Sequence, residues 1–135
     1  MSLPDYLRKL IATETQSLTV PGEWPLESGE VLQDVEIAYR TWGDRANAAD
    51  HTVLICHALT GSADVDAWWP GIIGAGKTFD PAHDFIVCAN ILGSCYGTTG
   101  PVSLKPGSQQ RYRADFPRIS VRDMVELELS LIHIS

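Results

Sequence analysis

The sequence predicts an α/β fold built on a mixed sheet, antiparallel at its start and parallel further along the chain. Residues 31–42 alternate between apolar and polar side chains, which is typical of an antiparallel strand with one solvated face. Residues 52–57 and 85–92 form apolar runs without alternation, which is typical of parallel strands buried on both faces. An apolar repeat of helical spacing begins at Val121 and predicts a helix after these strands.

The elements before the first long strand are predicted to be short. Residues 6–11 are expected to form one or two helical turns. Residues 16–20 are predicted to form a strand that Pro21 and Gly22 stop, and residues 23–30 a turn. The alternating strand 31–42 is expected near an edge of the sheet, because its polar positions need water.

The two buried strands need a crossover connection, because parallel strands cannot be joined by a tight turn. Residues 62–78 must supply the crossover helix or a distorted version of it. Residues 102–117 contain two prolines and a glycine and are expected to be irregular. Ser120 is then a predicted N-cap for the last helix, with Asp123 as its acidic partner three residues later.

Composition predicts a globular, cytoplasmic domain. The 135 residues are 44% hydrophobic and carry a formal charge of −7, which argues against binding to nucleic acid or to an anionic membrane. No apolar run approaches the roughly 20 residues of a membrane helix, and the first residues lack a signal-peptide pattern. The three cysteines, two of them inside predicted strands, are expected to be reduced.

The segment Gly71–Thr78 matches the P-loop pattern G-x-x-x-x-G-K-[ST]. A P-loop follows a buried strand and opens a long helix whose N-terminus binds phosphate. Here two tryptophans and Pro70 precede the loop, and Pro81 follows it closely. A P-loop nucleotide-binding protein is therefore the weaker alternative, and we expect a glycine-rich loop with a solvated Lys77.

The loop after the first buried strand, His57 to Ser62, has two interpretations. A His-small-Leu turn at this place is where an oxyanion-hole donor lies in hydrolases with a nucleophile elbow, and here the donor is the backbone N–H of Leu59. The alternative is a small-residue turn in which His57 makes only structural hydrogen bonds.

The loop after the second buried strand, Gly93 to Pro101, is expected to line a substrate or to be structural. Its glycine spacing differs from the dinucleotide-binding pattern G-x-G-x-x-G. Cys95 has no obvious base beside it in the sequence, which argues against a nucleophile. No metal site is predicted, because the histidines and cysteines lack the spacing of metal ligands.

Together these segments resemble the homoserine O-acetyltransferases of the α/β-hydrolase superfamily. The similarity runs from about Ser17 to about Glu128. It rests on the residues 57–63, 68–71, 74–77, 85–92, 93–101 and 115–125.

The resemblance implies acetyl transfer from acetyl-CoA to L-homoserine through an acyl-serine, in methionine biosynthesis. It implies acetyl-CoA as a co-substrate, no bound cofactor and a homodimeric parent enzyme. A homoserine or serine O-succinyltransferase of the same superfamily remains the alternative. The residues Thr60 to Ala63, and Ser94, Cys95 and Tyr96 in the later loop, favour the acetyl form.

The resemblance also implies which site residues are present. Leu59 is expected to provide one half of the oxyanion hole. The substrate-pocket candidates lie in the two loops and are His57, Ala58, Thr60, Gly61, Gly93, Ser94, Cys95, Tyr96 and Gly97.

The catalytic triad is expected outside this chain. No G-x-S-x-G elbow occurs in the 135 residues, and the Asp and His would follow the elbow in the family's chain order. The chain is therefore predicted to be a partial α/β-hydrolase domain, residues 1–135, truncated before the nucleophile elbow and inactive alone. Residues 129–135 depart from the family and are expected to be a truncated or foreign tail.

Overall fold

The computed structural model describes residues 3–134. In chain order the elements are α1 (Asp5–Arg8), β1 (Gln16–Pro25), β2 (Val31–Trp42), β3 (Thr52–Ile55), α2 (Val65–Trp68), β4 (Phe85–Ala89) and α3 (Val121–Ile134). Two 3-10 turns, Arg45–Asn47 and Arg113–Asp115, lie in the connections. Among the described residues no helix has the length and apolar character needed to cross a membrane.

The four strands form one mixed sheet in the order β1-β2-β4-β3. The pairs β1–β2 and β2–β4 are antiparallel, and β3–β4 is parallel, which confirms the predicted change of direction along the chain. β2 lies between two other strands, and β1 forms the edge on this side.

β1 is longer than the sequence predicted. Pro21 and Gly22 do not stop it, because the register shifts between Val20 and Glu23 and pairing with β2 then continues to Pro25. Such a bulge leaves the extra residues unpaired without ending the strand. Gly22 has a φ of 85°, and its N–H donates to Oδ1 of Asp34 at 2.8 Å. The turn into β2 is therefore shorter than the predicted 23–30.

The two parallel strands differ in burial. All five residues of β4 are buried, as predicted, but Ile55 is the one buried residue of β3. β3 is therefore less buried than predicted, with Leu54 partly buried against one core and Val53 against the other, in a strand that has a neighbour on one side. Both strands also end earlier than predicted, at Ile55 and at Ala89.

The sheet has one well-covered face and one irregularly covered face. α3 packs on the first face through its buried residues Leu127 and Leu131. The second face carries a smaller core of Ile55, Ala63, Val65, Ile72, Ile86 and Cys88. The crossover over this second face contains the single helical turn α2, so the predicted helix within 62–78 is reduced to four residues. Pro70 and the glycines that follow it explain this, since they do not support a continuous helix.

The N-terminus of α3 confirms the predicted cap. The N–H of Asp123 donates to Oγ of Ser120 at 3.2 Å, and the N–H of Ser120 donates to Oδ2 of Asp123 at 2.8 Å. The N–H of Glu27 donates to the other carboxylate oxygen at 2.9 Å, which joins the helix to the β1–β2 turn. The helix continues to Ile134, so the predicted tail is largely helical in this chain, and its foreign origin stays a prediction.

Candidate active-site loops

Two loops meet at the carboxyl ends of β3 and β4. We call residues 57–62 the oxyanion loop and residues 93–101 the glycine loop. Because β3 and β4 are parallel neighbours, both loops leave the sheet at the same edge. Open α/β sheets bind their ligands at this edge.

His57 holds the oxyanion loop against the end of β4. The side chain is buried, and its Nε2 accepts a hydrogen bond of 3.1 Å from the N–H of Ile91. Its Nδ1 lies 2.8 Å from the carbonyl oxygen of Ala58, which can only accept, so Nδ1 carries the proton. Both ring nitrogens are therefore used, and the structural interpretation of His57 is the one that this geometry supports.

Asn90 links the two loops and was missed by the sequence analysis. Its side chain is 3% exposed, accepts from the N–H of Ala63 at 2.9 Å and donates to the carbonyl oxygen of Tyr96 at 3.0 Å. The available signal was an amide side chain within the otherwise apolar run 85–92. A buried polar side chain in such a run needs partners, and here they are Tyr96 of the glycine loop and Ala63, the residue that follows the oxyanion loop.

Leu59 presents a free donor beside this scaffold. Its side chain is fully exposed, and its backbone N–H donates to no residue that the structure describes. The turn around it is closed by the N–H of Gly61, which donates to the carbonyl oxygen of Ala58 at 2.8 Å. A Cβ on Gly61 would lie 3.0 Å from Cβ of His57, so this turn has little space for a larger residue. Ala58 and Thr60 are exposed beside Leu59.

The glycine loop is fixed to β2 at its second half. Oγ1 of Thr98 accepts from the N–H of Ala38 at 3.0 Å, and Oγ1 of Thr99 accepts from the N–H of Glu36 at 2.9 Å. Gly93 has a φ of 88°, and a Cβ there would lie 2.6 Å from Cδ1 of Ile119. Much of this loop therefore has a structural role.

The remaining pocket candidates are partly accessible. Gly93, Ser94, Cys95 and Tyr96 are half-buried, whereas Gly97 is buried. A groove of about 620 Å³ lies between β2 and residues 103–112, and none of the predicted pocket residues lines it. The structure thus brings the two loops together, and their role as a substrate pocket stays a prediction.

The cysteines beside the loops do not favour thiolate chemistry. Burial raises the pKa of the Cys56 thiol, and the nearby Glu128 carboxyl, 3.6 Å from its Sγ, raises it further. Burial also raises the pKa of Cys88 to about 12. A raised pKa keeps a thiol protonated and weakly nucleophilic. The thiols of Cys56, Cys88 and Cys95 are all free of disulfides.

The P-loop match at Gly71–Thr78 does not fold as a P-loop. The turn α2 precedes it in place of a strand, and the next regular element is β4. The N–H of Gly74 donates to the carbonyl oxygen of Phe79 at 3.0 Å, and the N–H of Gly76 donates to Oδ2 of Asp80 at 2.9 Å. An amide that would bind phosphate is thus occupied by a carboxylate, and the nucleotide-binding alternative is wrong.

Within residues 3–134 no group of three or more His, Cys, Asp and Glu side chains is arranged to hold a metal ion.

Searches of curated proteins find similar sequences, although no family model matches the chain. The chain is 55% identical over 120 residues to the homoserine O-acetyltransferase of Nostoc punctiforme, which covers 89% of this chain and 33% of that protein. It is 54% identical to the enzyme of the same name from Trichormus variabilis, over 90% of this chain and 34% of that protein. The chain therefore spans about a third of the length of these curated relatives. The resemblance stated from the sequence is confirmed by them.

Solved structures support the same fold. Esterase E22 superposes with a TM-score of 0.76 at 25% identity, over 89% of this chain and 37% of the esterase. Homoserine O-acetyltransferase from Bacillus anthracis superposes with a TM-score of 0.74 at 26% identity, over 88% of this chain and 36% of that enzyme. Homoserine O-acetyltransferase from Staphylococcus aureus superposes with a TM-score of 0.70 at 26% identity, over 89% of this chain and 35% of that enzyme. The chain thus has part of an α/β-hydrolase fold, as predicted.

Proposed function

We propose that this chain is the amino-terminal part of a homoserine O-acetyltransferase, an acyltransferase of the α/β-hydrolase superfamily. The reaction moves the acetyl group of acetyl-CoA to the hydroxyl of L-homoserine through an acyl-serine. The observation that carries the proposal is the unpaired N–H of Leu59 at the carboxyl end of β3, on a loop that His57 and Asn90 hold in place.

The Leu59 N–H would act on the carbonyl oxygen of the acetyl group. When the serine attacks the thioester, negative charge develops on this oxygen, and a fixed N–H donor stabilises it. The same donor would stabilise the second tetrahedral intermediate, in which the homoserine hydroxyl attacks the acyl-serine. One such donor contributes about 3–4 kcal/mol to transition-state stabilisation.

The other parts of the site are proposed from the resemblance. The serine, aspartate and histidine of the triad, and the second oxyanion donor, lie outside residues 1–135. The exposed and half-buried residues of the two loops would line the substrate pocket around Leu59; they are Ala58, Thr60, Gly61, Gly93, Ser94, Cys95 and Tyr96. Acetyl-CoA is a co-substrate, with no bound cofactor, and the parent enzyme is proposed to be a cytoplasmic homodimer.

Two acyl-transfer alternatives share this geometry. A succinyl donor or a serine acceptor would use the same oxyanion donor, and the choice depends on pocket residues in both loops. Hydrolysis is the second alternative, because an esterase superposes on the chain as well as the transferases do. Water then replaces the homoserine hydroxyl in the second step, and the site described here serves either acceptor.

The first test measures CoA release and O-acetylhomoserine formation by the isolated chain and by the polypeptide that its gene encodes past codon 135. We expect no turnover by the isolated chain and transfer to homoserine by the extended protein. Turnover by the isolated chain close to that of the Nostoc punctiforme enzyme contradicts the proposal. Hydrolysis of acetyl-CoA or of acetyl esters, with no transfer to homoserine, favours the esterase alternative.

The second test isolates the Leu59 N–H. Leu59→Pro removes this donor, and we expect kcat of the extended protein to fall by about 10²–10³. Leu59→Ala keeps the N–H and serves as the matched control, with kcat expected to stay near that of the unmodified protein. Equal kcat values for the two variants contradict the role of this N–H.

A further inference from the structure

Arg40 is a buried cation on the irregularly covered face of the sheet. It lies on β2 opposite Cys88 of β4, and it is 7% exposed. Alternation along the strand puts Arg40 and Trp42 on the same face, toward the crossover segment 62–79. A buried arginine needs charged partners, because an unpaired buried charge is costly.

The partners of Arg40 come from the start of the crossover. Its Nη1 donates to Oδ1 of Asp64 at 3.1 Å and to Oδ1 of Asp66 at 2.6 Å, and its Nη2 donates to Oδ2 of Asp66 at 3.2 Å. The guanidinium also lies 4.6 Å from the centre of the Trp42 ring. Two parallel hydrogen bonds to one carboxylate fix the direction as well as the distance of a contact.

The electrostatics keep this contact charged. Burial acts to lower the pKa of Arg40, but the hydrogen bonds and charges of Asp66 and Asp64 outweigh burial and raise it. The carboxylate of Asp66 is half-exposed and that of Asp64 is more buried, so the cluster lies at the boundary between the core and solvent.

Arg40 adds a contact with the sheet to the segment that follows the oxyanion loop. His57 fixes its first residue to β4, and Asn90 fixes Ala63 just beyond its end. The next element, α2, is a single turn, which cannot hold its own position by helical hydrogen bonding. Asp64 and Asp66 flank the start of this turn, and their bonds to Arg40 tie it to the central strand β2.

We propose that Arg40 is a positioning residue for the oxyanion loop, which it fixes to β2 through Asp64 and Asp66. Its importance for catalysis rests on the proposed function, but its effect on the loop is a property of this chain alone. Loss of the contact frees α2 from β2, and the loop that carries Leu59 is then held at this end by the bond of Ala63 to Asn90 without the added support of Arg40.

The test is amide hydrogen exchange of the 135-residue chain, read residue by residue by NMR. The reporters are the hydrogen-bonded amides of Gly61, Ala63 and Trp69. In Arg40→Gln we expect these amides to exchange about ten-fold faster, while the amides of β4 change by less than about two-fold. Arg122→Gln removes the exposed ion pair of Arg122 with Glu27 and serves as the control, with no change at the reporters.

A second pair of variants keeps the test decisive where Arg40→Gln does not fold. Asp66→Asn leaves the bond to Asp64, and we expect about three-fold faster exchange at the same reporters. Arg40→Lys keeps the positive charge but cannot form the paired hydrogen bonds with Asp66. We expect its reporter amides to exchange more slowly than those of Arg40→Gln and faster than those of the unmodified chain. Unchanged reporters in Asp66→Asn, or equal acceleration in β4 and the reporters, overturns the proposal.

The extended protein separates this proposal from the proposed function. With acetyl transfer present, Arg40→Gln should lower kcat about ten-fold, because the donor on the oxyanion loop is no longer held in place. An unchanged kcat overturns the positioning role. Faster reporter exchange in a protein without acetyl transfer supports the contact of Arg40 with the loop and overturns only the proposed function.

Discussion

The Nε2 atom of His57 accepts a 3.1 Å hydrogen bond from the N–H of Ile91, and this bond joins the ends of the two parallel strands. The oxyanion loop is therefore positioned by β4 as well as by β3, the strand that it follows. Such fixed positions matter for an oxyanion donor, because preorganised dipoles need no rearrangement when charge develops.

The first prediction concerns this bond. His57→Leu puts an apolar side chain of similar bulk in this place and leaves the N–H of Ile91 without its acceptor. We expect the free energy of unfolding, measured with urea, to fall by about 1–3 kcal/mol. The exposed His51 gives a matched control, and His51→Leu should change the free energy of unfolding by less than about 0.5 kcal/mol. Equal losses in the two variants would show that the bond to Ile91 contributes little.

The second prediction concerns Asn90. Asn90→Leu leaves the N–H of Ala63 and the carbonyl of Tyr96 unpaired. We therefore expect the free energy of unfolding, measured with urea, to fall by about 2–4 kcal/mol. Asn47→Ala is the control, because the Asn47 side chain makes no hydrogen bond with the described residues. A loss below that of Asn47→Ala would contradict the linking role of Asn90.

The third prediction is a pH dependence at Asp123. Burial acts to raise the pKa of this carboxyl, but hydrogen bonds from the Ser120 and Glu27 amides and from the Ser120 hydroxyl outweigh burial and lower it. The native pKa therefore lies below the unfolded value of about 3.9. The stability that this ionised group adds is complete above that value and is lost as the pH falls through the native pKa.

Asp123→Asn should remove this contribution. We expect its unfolding free energy to lie about 1–2 kcal/mol below that of the unmodified chain at pH 7, with the difference shrinking below about pH 4. Glu126→Gln, on an exposed position of the same helix, is the control and should show no such convergence. A difference that stays constant between pH 7 and pH 3 would contradict the role of the ionised carboxylate.

The fourth prediction concerns Glu128, whose pH dependence has the opposite sign. Burial raises the pKa of this carboxyl, although the Cys56 thiol and His57 act to lower it. One of its oxygens, Oε1, is buried without a hydrogen-bond partner among the described residues. The native state therefore favours the protonated form, and stability is lost as the pH rises from the unfolded pKa through the raised native one.

The glutamine of Glu128→Gln is neutral at every pH, so this side chain should not lower the stability as the pH rises. We expect this variant to be more stable than the unmodified chain by about 1 kcal/mol at pH 7.5, and the gain should disappear near pH 4. The exposed Glu126→Gln again provides the control. A lower stability of Glu128→Gln at pH 7.5 would show that the ionised carboxylate is stabilising here.

The fifth prediction concerns the open side of β3. This strand pairs with β4 alone, so its other edge exposes backbone groups that can pair with a second chain. Thr52→Lys puts a charge on an exposed position of this edge, and we expect the concentration at which light scattering rises to increase about three-fold. His83→Lys adds the same charge on an exposed loop and should have no effect. An increase of the same size in both variants would assign the effect to net charge.

Much of the fold was predictable because its signals are local. The apolar run of β4 and the Ser120 cap each depend on residues within one element, and the structure confirms them. The alternation predicts the strand β2 correctly, but its solvated face is wrong in the second half of the strand, where Arg40 is buried under the crossover. The resemblance to the homoserine O-acetyltransferases is also a property of the sequence, and the curated relatives confirm it. The sequence thus determined the order of the elements, the two loops at the strand ends and Leu59 as the candidate donor.

The tertiary structure decided the features that depend on distant partners. β3 is less buried than β4 because it lies at the edge of the sheet, and β1 passes Pro21 because a bulge keeps its pairing with β2. Arg40 and Asp66 are 26 residues apart and are joined only by the packing of the crossover on the sheet. The identity of a residue and its neighbours in the sequence cannot specify such a contact. Burial, strand pairing and hydrogen bonding depend on which distant residues the folded chain brings next to that residue.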